Sequence, residues 1–510
     1  MKLRQFFKKI LPKSLLNLRH LFFAWWGSVK YNHPSEELLV IGITGTSGKT
    51  STIHFLRQIL EFAGFKVGSL STADFYIDGE LKLNDKKMTM VGRYFIQEKL
   101  REMVDKKCDV AIVETTSEGY LQHRHKFINY DTMVLTNLYP EHLEHHGGFE
   151  NYKAAKLGIF EYVSKLKRKN FINRPPLRGT TGGRVENQST PPEPPLRGEG
   201  LMMKTAIVNG DSEFANEFLN FEFENKFLFH TQNRPPSFAE GRIRPLADRG
   251  TTGGRVENQS TPPEPPLRGE GKQISNFQFS ISNFIAEDVL VNSDGLDFTV
   301  ENITFHAPLY AEHNVSNLMA AISVAKSLDI EWEVIQKAVA KLTSPPGRIE
   351  FIKEAEIKGF KVIVDYAFEP VALASLYKVA ELLKPKRIIH VCGSTGGGRD
   401  KARREPIGKL VGEKANIFIV TDEDPYDENP LEIIKTVSKG AQRVGKKIGV
   451  DLFEILDRRE AIKKAIELAG AGDLILITGK GSEQAMCITG DKMIPWDDRE
   501  IAREILNFKF

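Results

Sequence analysis

Leu38 to Thr52 read LLVIGITGTSGKTST, an apolar run followed by a glycine-rich turn and a hydroxyl-rich continuation. A strand that opens through glycines into a helix start is a phosphate cradle, so the stretch predicts binding of a nucleoside triphosphate. Gly45 and Gly48 let backbone N–H groups of Gly45, Thr46, Ser47 and Gly48 approach phosphate oxygens. Lys49 brings a positive charge to the β- and γ-phosphates, and Thr50 and Ser51 bring hydroxyls, that of Thr50 suited to Mg²⁺. The general GxxxxGK[ST] spacing is not met, because Ile43 stands where its first glycine would be. The narrower pattern GTxGK[ST] fits, with Gly45 making the turn and Phe55, Leu56, Ile59 and Leu60 marking an amphipathic helix beyond it.

The chain has 510 residues, 41% of them hydrophobic, which suffices for two or three packed domains. Seventy Lys and Arg against 67 Asp and Glu leave a net charge of +3, so nothing in the balance calls for a nucleic-acid partner. Cys108, Cys392 and Cys487 lie far apart without CxxC spacing, which suits a reducing cytoplasm and excludes a zinc knuckle.

Residues 1–36 form a separate, basic and amphipathic segment in which Lys2, Arg4, Lys8, Lys9, Lys13 and Arg19 alternate with Phe6, Phe7, Leu11, Leu15, Leu16, Leu18, Leu21, Phe22, Phe23, Trp25 and Trp26. Charges at Lys13 and Arg19 argue against a spanning helix, and no small-residue cleavage site follows. Two readings stay open for residues 1–32: peripheral contact with a membrane surface, or a helix packed on the neighbouring domain with a basic outer face.

The sequence RGTTGGRVENQSTPPEPPLRGEG occurs twice, at Arg178–Gly200 and at Arg249–Gly271, with NRPP upstream of each, at Asn173 and at Asn233. It lacks the periodic apolar positions of a solenoid unit and reads as disordered, so inserts are expected at about 173–200 and 233–271, without catalytic residues. TAIVNG at Thr205–Gly210 reads as a buried strand, so the fold resumes between the copies. Strand-like runs at Val110–Val113, Thr132–Leu135, Lys361–Val364, Arg387–Val391, Ile417–Val420 and Leu474–Ile477 alternate with helical patterns, which predicts α/β domains with parallel sheets. The breaker cluster Ser344–Gly347, after a helix ending near Leu342, predicts a boundary between a domain at 37–344 and one at 345–510.

Glu114 ends the strand Val110–Val113 within ETTSEG, where a carboxylate at a strand's carboxyl end reaches a metal beside a phosphate loop. Beyond it, TNLYPEHLEHHG crowds His142, His145 and His146 near Glu141 and Glu144, and Lys156 follows Tyr152 in YKAAK. With EHNVSN at Glu312–Asn317, PGRIE at Pro346–Glu350, DYAFEP at Asp365–Pro370, GGGRDKARR at Gly396–Arg404, TDEDPYDENP at Thr421–Pro430, GKGSE at Gly479–Glu483 and WDDRE at Trp496–Glu500, these motifs resemble, in order, the Mur ligases. The resemblance covers about residues 37 to 510 apart from the inserts, and is nearest to the branch that adds the third residue of the muramoyl peptide.

The resemblance implies a central phosphate-loop ATPase domain, a Rossmann-like C-terminal domain, and an ATP- and Mg²⁺-dependent amide ligase acting through an acyl phosphate. It implies that Lys49 holds phosphates, that Thr50 and Glu114 hold one Mg²⁺, and that His142 helps hold a second. Lys156 matches the lysine that the family carries as a carbamate, beside the metal. Asn314, Arg348 and Asp365 match positions around the nucleotide. Thr89, Ser117, Arg124, Arg399, Asp424, Gly479 and Glu483 match positions that meet a UDP-muramoyl dipeptide or the incoming amino acid.

Several departures stand out. Only about 36 residues precede the ATPase strand, where the family has a uridine-holding domain, and Met90 replaces the second of a threonine pair. Tyr426 replaces the arginine of DNPR, so meso-diaminopimelate is not expected as acceptor, and Glu423 and Asp424 point to a cationic one such as lysine or ornithine. Phe368 and Ser482 replace histidines of the acceptor region. The expected protein is a cytoplasmic monomer, with contact to the inner membrane face through residues 1–32 as the added expectation. A non-catalytic ATP-binding scaffold, or a ligase for another carboxylated carrier, is the rival reading.

Overall fold

The structure, a computed structural model, describes residues 13–84, 89–140, 147–169, 202–231, 281–397, 401–488 and 492–507. The repeat copies, His142 and Arg399 lie outside the described residues.

The first strand, β1 (Leu39–Thr44), is buried along its whole length, as a central parallel strand covered on both faces must be. β2 (Val67–Leu70), β3 (Asp74–Ile77), β4 (Glu80–Leu83), β5 (Val110–Glu114), β6 (Thr132–Leu135), β7 (Thr205–Asn209), β8 (Asn225–His230) and β9 (Ile281–Ile285) join it in the order β4-β3-β2-β5-β1-β6-β7-β8-β9. From β2 across to β9 the pairing is parallel, with β1 flanked by β5 and β6. The expected parallel sheet is thus extended, because β3 and β4 add an antiparallel edge. Consecutive strands depart to opposite sides of β1, which opens a crevice at its carboxyl end where the glycine loop sits.

Two apolar layers cover this sheet. On one face the helices Lys49–Phe62 and His313–Ser327 bury Phe55, Leu56, Ile59, Leu318 and Ile322 against Ile41, Ile43 and Ile112. On the other, Arg93–Asp105 and Phe149–Ser164 bury Ile96, Leu100, Ile159 and Phe160 against Val40, Ala111 and Met133. A small antiparallel sheet, β10 (Glu287–Val291), β11 (Leu296–Val300) and β12 (Ile303–Ala307), packs Phe298 and Phe305 into the first layer.

Past Ser344 a second sheet begins. It orders β13 (Glu350–Phe351), β14 (Lys361–Asp365), β18 (Leu474–Thr478), β15 (Ile388–Cys392), β16 (Ile417–Val420) and β17 (Leu452–Glu454), parallel except for β13, with its own core on each face. A hairpin of β19 (Ala485–Ile488) and β20 (Lys492–Pro495) follows. The helix before the boundary is Trp332–Val339, three residues shorter than expected, and β15 starts one residue late at Ile388.

The helix Lys13–Lys30 packs on the helix Arg93–Asp105 through its small residues Ala24, Gly27 and Ser28. A Cβ on Gly27 would stand 3.2 Å from Tyr94 Cα, so the two backbones meet closely there. This agrees with the packing alternative in placement but not in polarity. The small residues face inward, and the aromatic ones, Phe22, Phe23, Trp25 and Trp26, are left 42–51% exposed.

Candidate active site

The phosphate loop is held by residues far away in sequence. Asn137 Oδ1 accepts from the N–H groups of Thr46 and Ser47 at 3.0 and 2.8 Å, and Thr136 Oγ1 donates to Ser47 O at 2.6 Å. Both glycines are required by space as well as by backbone angle. A Cβ on Gly45, at φ +153°, would lie 1.9 Å from Thr136 Oγ1, and one on Gly48, at φ +77°, 2.1 Å from Asn317 Oδ1. The amides that begin the helix Lys49–Phe62 have no intrahelical partner, so they and the helix dipole face an anion.

Lys49 Nζ folds back on the carbonyls of Gly45 and Thr46, at 3.0 and 2.9 Å. Beside it Thr50 Oγ1 donates to Glu114 Oε2 at 3.2 Å, and Thr72 donates to the same carboxylate through its N–H at 2.6 Å and its hydroxyl at 3.0 Å. Burial pushes the Glu114 carboxyl up, against the pull of Lys49 and the Thr72 and Thr50 bonds. A buried carboxylate and a hydroxyl oxygen meeting at the phosphate loop fit Mg²⁺, which takes few protein ligands and fills the rest of its shell with water and phosphate.

Lys156, in the helix Phe149–Ser164, is 1% exposed and donates to Gly45 O at 2.7 Å, with its ammonium 4.6 Å from the Tyr152 ring centre. Tyr152 in turn donates to Thr46 Oγ1 at 3.2 Å. Lys156 therefore sits under the same loop as Lys49.

The loop after Glu114 carries Ser117, buried at the start of the helix Ser117–Leu121, and Arg124. Arg124 donates to Met90 O and to Gln122 Oε1, the latter at 2.7 Å, which brings it against the segment of Thr89, itself half-buried.

On the C-terminal side, Asp365 accepts from Ile349 N–H at 2.8 Å and Ala367 N–H at 2.7 Å. Its carboxyl is raised by burial and drawn back by Arg348, whose guanidinium stacks 4.5 Å from the Tyr366 ring. His313, at the start of the helix His313–Ser327, is lowered by burial and feels both Asp365 and Arg348. The two sheets therefore meet around the proposed nucleotide positions. Asn314 lies on the same helix but bonds Tyr310 O, at 2.8 Å, and it is Asn317 that reaches the phosphate loop.

Asp424, Gly479 and Glu483 form one cluster. Lys480, fully buried, donates to Asp424 Oδ2 at 2.7 Å and to Glu483 Oε2 at 2.5 Å, and Cys487 N–H occupies Asp424 Oδ1 at 2.6 Å. A Cβ on Gly479 would strike Glu423 Oε2 at 2.0 Å. Burial first, and Asp424 further, hold Glu423 up at about 7 against Arg458 and Lys480. Thr72, Asn137, Asn317 and Lys480 were not singled out from the sequence. Asn137, Asn317 and Lys480 stand inside recognisable motifs, but Thr72 carries no local signal.

A strand opening into a phosphate loop beside a buried carboxylate in one α/β domain, followed by a second α/β domain bearing a polar cluster, fits a nucleotide-binding protein of two domains. Comparison with known proteins agrees. The Mur ligase middle-domain family matches residues 43–176, and the Mur ligase glutamate ligase domain matches residues 347–481. A Clostridium tetani protein named UDP-N-acetylmuramoyl-L-alanyl-D-glutamate--2,6-diaminopimelate ligase is 30% identical over 93% of this chain and 79% of its own. A UDP-N-acetylmuramyl-tripeptide synthetase of Treponema denticola is 29% identical over 93% and 77%. Among solved structures, MurF from Acinetobacter baumannii superposes with a TM-score of 0.58 at 14% identity, over 90% of this chain and 77% of that one. The Mycobacterium tuberculosis folylpolyglutamate synthase does so at 0.56 and 14%, over 96% of each chain. The chain belongs to the Mur ligase family and is a ligase of peptidoglycan precursor synthesis. No helix among the described residues is long and apolar enough to cross a membrane.

Proposed function

We propose that this ligase joins an amino acid to the D-glutamate carboxylate of UDP-N-acetylmuramoyl-L-alanyl-D-glutamate, using ATP and Mg²⁺ through an acyl phosphate. The observation that carries the reading is the meeting of Lys49, Thr50 and Glu114 under one glycine loop, with Arg348 and Asp365 of the other domain bearing on His313, at the start of the helix whose Asn317 meets Gly48. Bound Mg²⁺ supplies charge neutralisation, so that two anions, carboxylate and γ-phosphate, approach each other. Lys49 and the helix N-terminus would orient the phosphates, and Glu114 and Thr50 would hold the metal. His142 is assigned a second metal, and Arg399 an acceptor contact, by motif alone. Lys156, buried against Gly45 O, is assigned the carbamate by motif.

The acceptor proposed is a cationic amino acid, lysine or ornithine, rather than diaminopimelate. Asp424 is already bound to Lys480, so the argument rests on the balance of the cluster. Three carboxylates, Glu423, Asp424 and Glu483, surround Lys480, while Arg458 is committed to Asp498 at 2.7 Å. An incoming ammonium group lowers that imbalance, and Tyr426 offers no fork to a distal carboxylate.

The test is mass spectrometry of product from the purified protein with MgATP, the UDP-muramoyl dipeptide and a panel of amino acids. A lysine or ornithine adduct supports the full reading. A diaminopimelate adduct with the highest kcat/KM overturns the acceptor assignment, and no adduct despite bound ATP moves the assignment to another carboxylated donor or to a scaffold.

A second reading, favoured by the outward aromatic face of the helix Lys13–Lys30, is peripheral contact with an anionic lipid surface. Phe22, Phe23, Trp25 and Trp26 form a contiguous patch, with ring centres 5.7–6.5 Å apart, in a segment rich in Lys and Arg. Flotation with anionic vesicles before and after deletion of residues 1–32 tests it, and equal behaviour of the two forms removes it.

A further inference from the structure

The side of the helix Lys13–Lys30 that faces the protein gathers positive charge. His20 is half-buried there, and every group whose charge bears on it is basic: Arg93, Arg19, His123 and Arg124. Burial first, then this company, presses His20 down to about 4. Arg93 is pressed down to about 10 by burial and by Arg124 and Arg19. Arg93 also opens the 13-residue helix Arg93–Asp105, whose N-cap Gly92 has no side-chain cap, so the positive end of that helix points the same way.

Gathering cations in a half-buried place is costly unless an anion compensates them. Arg93 Nη2 donates to the Gln122 carbonyl at 2.8 Å, a neutral partner, and among the described residues no carboxylate pairs with Arg93 or His20. Three buried nitrogens, His20 Nδ1, His123 Nδ1 and Arg93 Nε, have no hydrogen-bond partner. Native structures rarely leave such groups unsatisfied, and three in one cluster mark a place for an acceptor-rich ligand. The place is contiguous with the donor-binding loop, since Arg124 bonds Met90 O and a Cβ on Gly119 would strike Met90 Sδ at 2.3 Å.

We infer that His20, Arg93 and Arg124, with Arg19 and His123 at the rim, form a seat for the diphosphate of the nucleotide-linked donor, part of it supplied by the N-terminal helix. The inference rests on the donor named above. A diphosphate offers acceptor oxygens to the nitrogens of His20, His123 and Arg93 that have no hydrogen-bond partner, and arginine forks suit it geometrically.

The experiment is calorimetric titration of the full chain with UDP and with inorganic pyrophosphate, while a non-hydrolysable ATP analogue saturates the phosphate loop. Wild type is compared with Arg93→Gln, His20→Glu and the exposed-site variant Arg19→Glu, with melting curves as the folding control. The seat requires UDP affinity to fall at least tenfold in Arg93→Gln and His20→Glu and severalfold in Arg19→Glu, with affinity for the ATP analogue unchanged. In turnover it requires a tenfold rise in KM for the UDP-muramoyl dipeptide with kcat within twofold, and partial recovery in Arg93→Lys. Equal UDP binding by all forms, or none by wild type, overturns it. Loss of anionic-vesicle flotation with UDP binding unchanged assigns these cations to a lipid surface and overturns it too. UDP seated without any tripeptide formed overturns the donor reading and leaves the seat standing, whereas product with an unchanged donor KM does the reverse.

Discussion

At the residue scale, the phosphate loop is a case where conformation and space act together. Gly48 adopts φ +77° and its missing Cβ is the room Asn317 occupies, so Gly48→Ala meets both a strained backbone and a contact at 2.1 Å. We expect roughly 1–3 kcal/mol of destabilisation and a loss of ATP affinity of tenfold or more, read by calorimetry; trimming the neighbour in Gly48→Ala/Asn317→Ala recovers part of the stability. Lys49→Ala is expected to fold normally and to lose roughly 10²–10³ in kcat, as removal of one charge-stabilising donor typically does. The loop itself was legible because glycine, lysine and threonine announce their roles locally. Its supports were not, since Asn137 and Asn317 come from segments about 90 and 270 residues away and an asparagine has no signature of its own. Glu423 makes a different prediction. Its folded pKa, about 7, lies above the ordinary 4.5, so the folded state holds a proton that the unfolded state has lost between those values. Stability therefore falls as pH rises from about 4.5 to 7, by at most about 3 kcal/mol for this group. Glu423→Gln should flatten that slope in urea melts at successive pH, and an undiminished slope would exclude Glu423 as its source.

At the element scale, the place where the first insert leaves and re-enters the fold is clamped. Lys169 and Lys204, just before and after residues 170–201, are both buried against Asp131 at the start of β6. Lys169 donates to Asp131 at 2.5 Å and to Leu38 O at 2.9 Å, and Lys204 to Asn129 Oδ1 at 2.8 Å and Tyr130 O at 2.5 Å. Burial holds Lys169 down at about 8, partly offset by Asp131. Removing the shared carboxylate leaves two buried ammonium groups, so Asp131→Ala is expected to cost about 3–5 kcal/mol, measured by urea unfolding. Deleting residues 174–199 spares this clamp and should leave melting temperature and kcat nearly unchanged; a large loss of either would give the insert a structural role. The alternation of short apolar runs made the parallel strands legible from sequence. β3, β4 and the small sheet β10–β12 were not legible, because strands of four or five residues with one wet face carry little periodicity, and their pairing is set by distant neighbours.

At the scale of the whole molecule, two sheets with separate cores are joined at a short segment under conformational tension. Ile349, a β-branched residue, adopts φ +47°, and Asp365 holds it there through its N–H; Gly347, at φ +64°, leaves no room for a side chain, since a Cβ there would stand 2.2 Å from the backbone of Gly481 and Ser482. On the other side Gln58, in the helix that follows the phosphate loop, holds Thr343 through its N–H at 3.0 Å and its hydroxyl at 3.1 Å. The linker is thus anchored at one end to the phosphate-loop helix and at the other to the strand bearing Asp365. The four apolar clusters divide at this linker, with Tyr310 and Ala311 the pair that crosses to pack on the second domain. Each half therefore has apolar cores of its own, while the proposed nucleotide positions are drawn from both. Cutting the chain after Thr343 should give two soluble, cooperatively melting fragments. The first keeps Lys49, Thr50 and Glu114 but lacks Arg348 and Asp365, so its ATP affinity should fall at least tenfold below that of the intact chain. Mixing the fragments should restore affinity only at high concentration, because the linker no longer supplies an effective concentration. Wild-type ATP affinity in residues 1–343 alone would place the whole nucleotide site in the first domain and leave Arg348 and Asp365 to the linker alone.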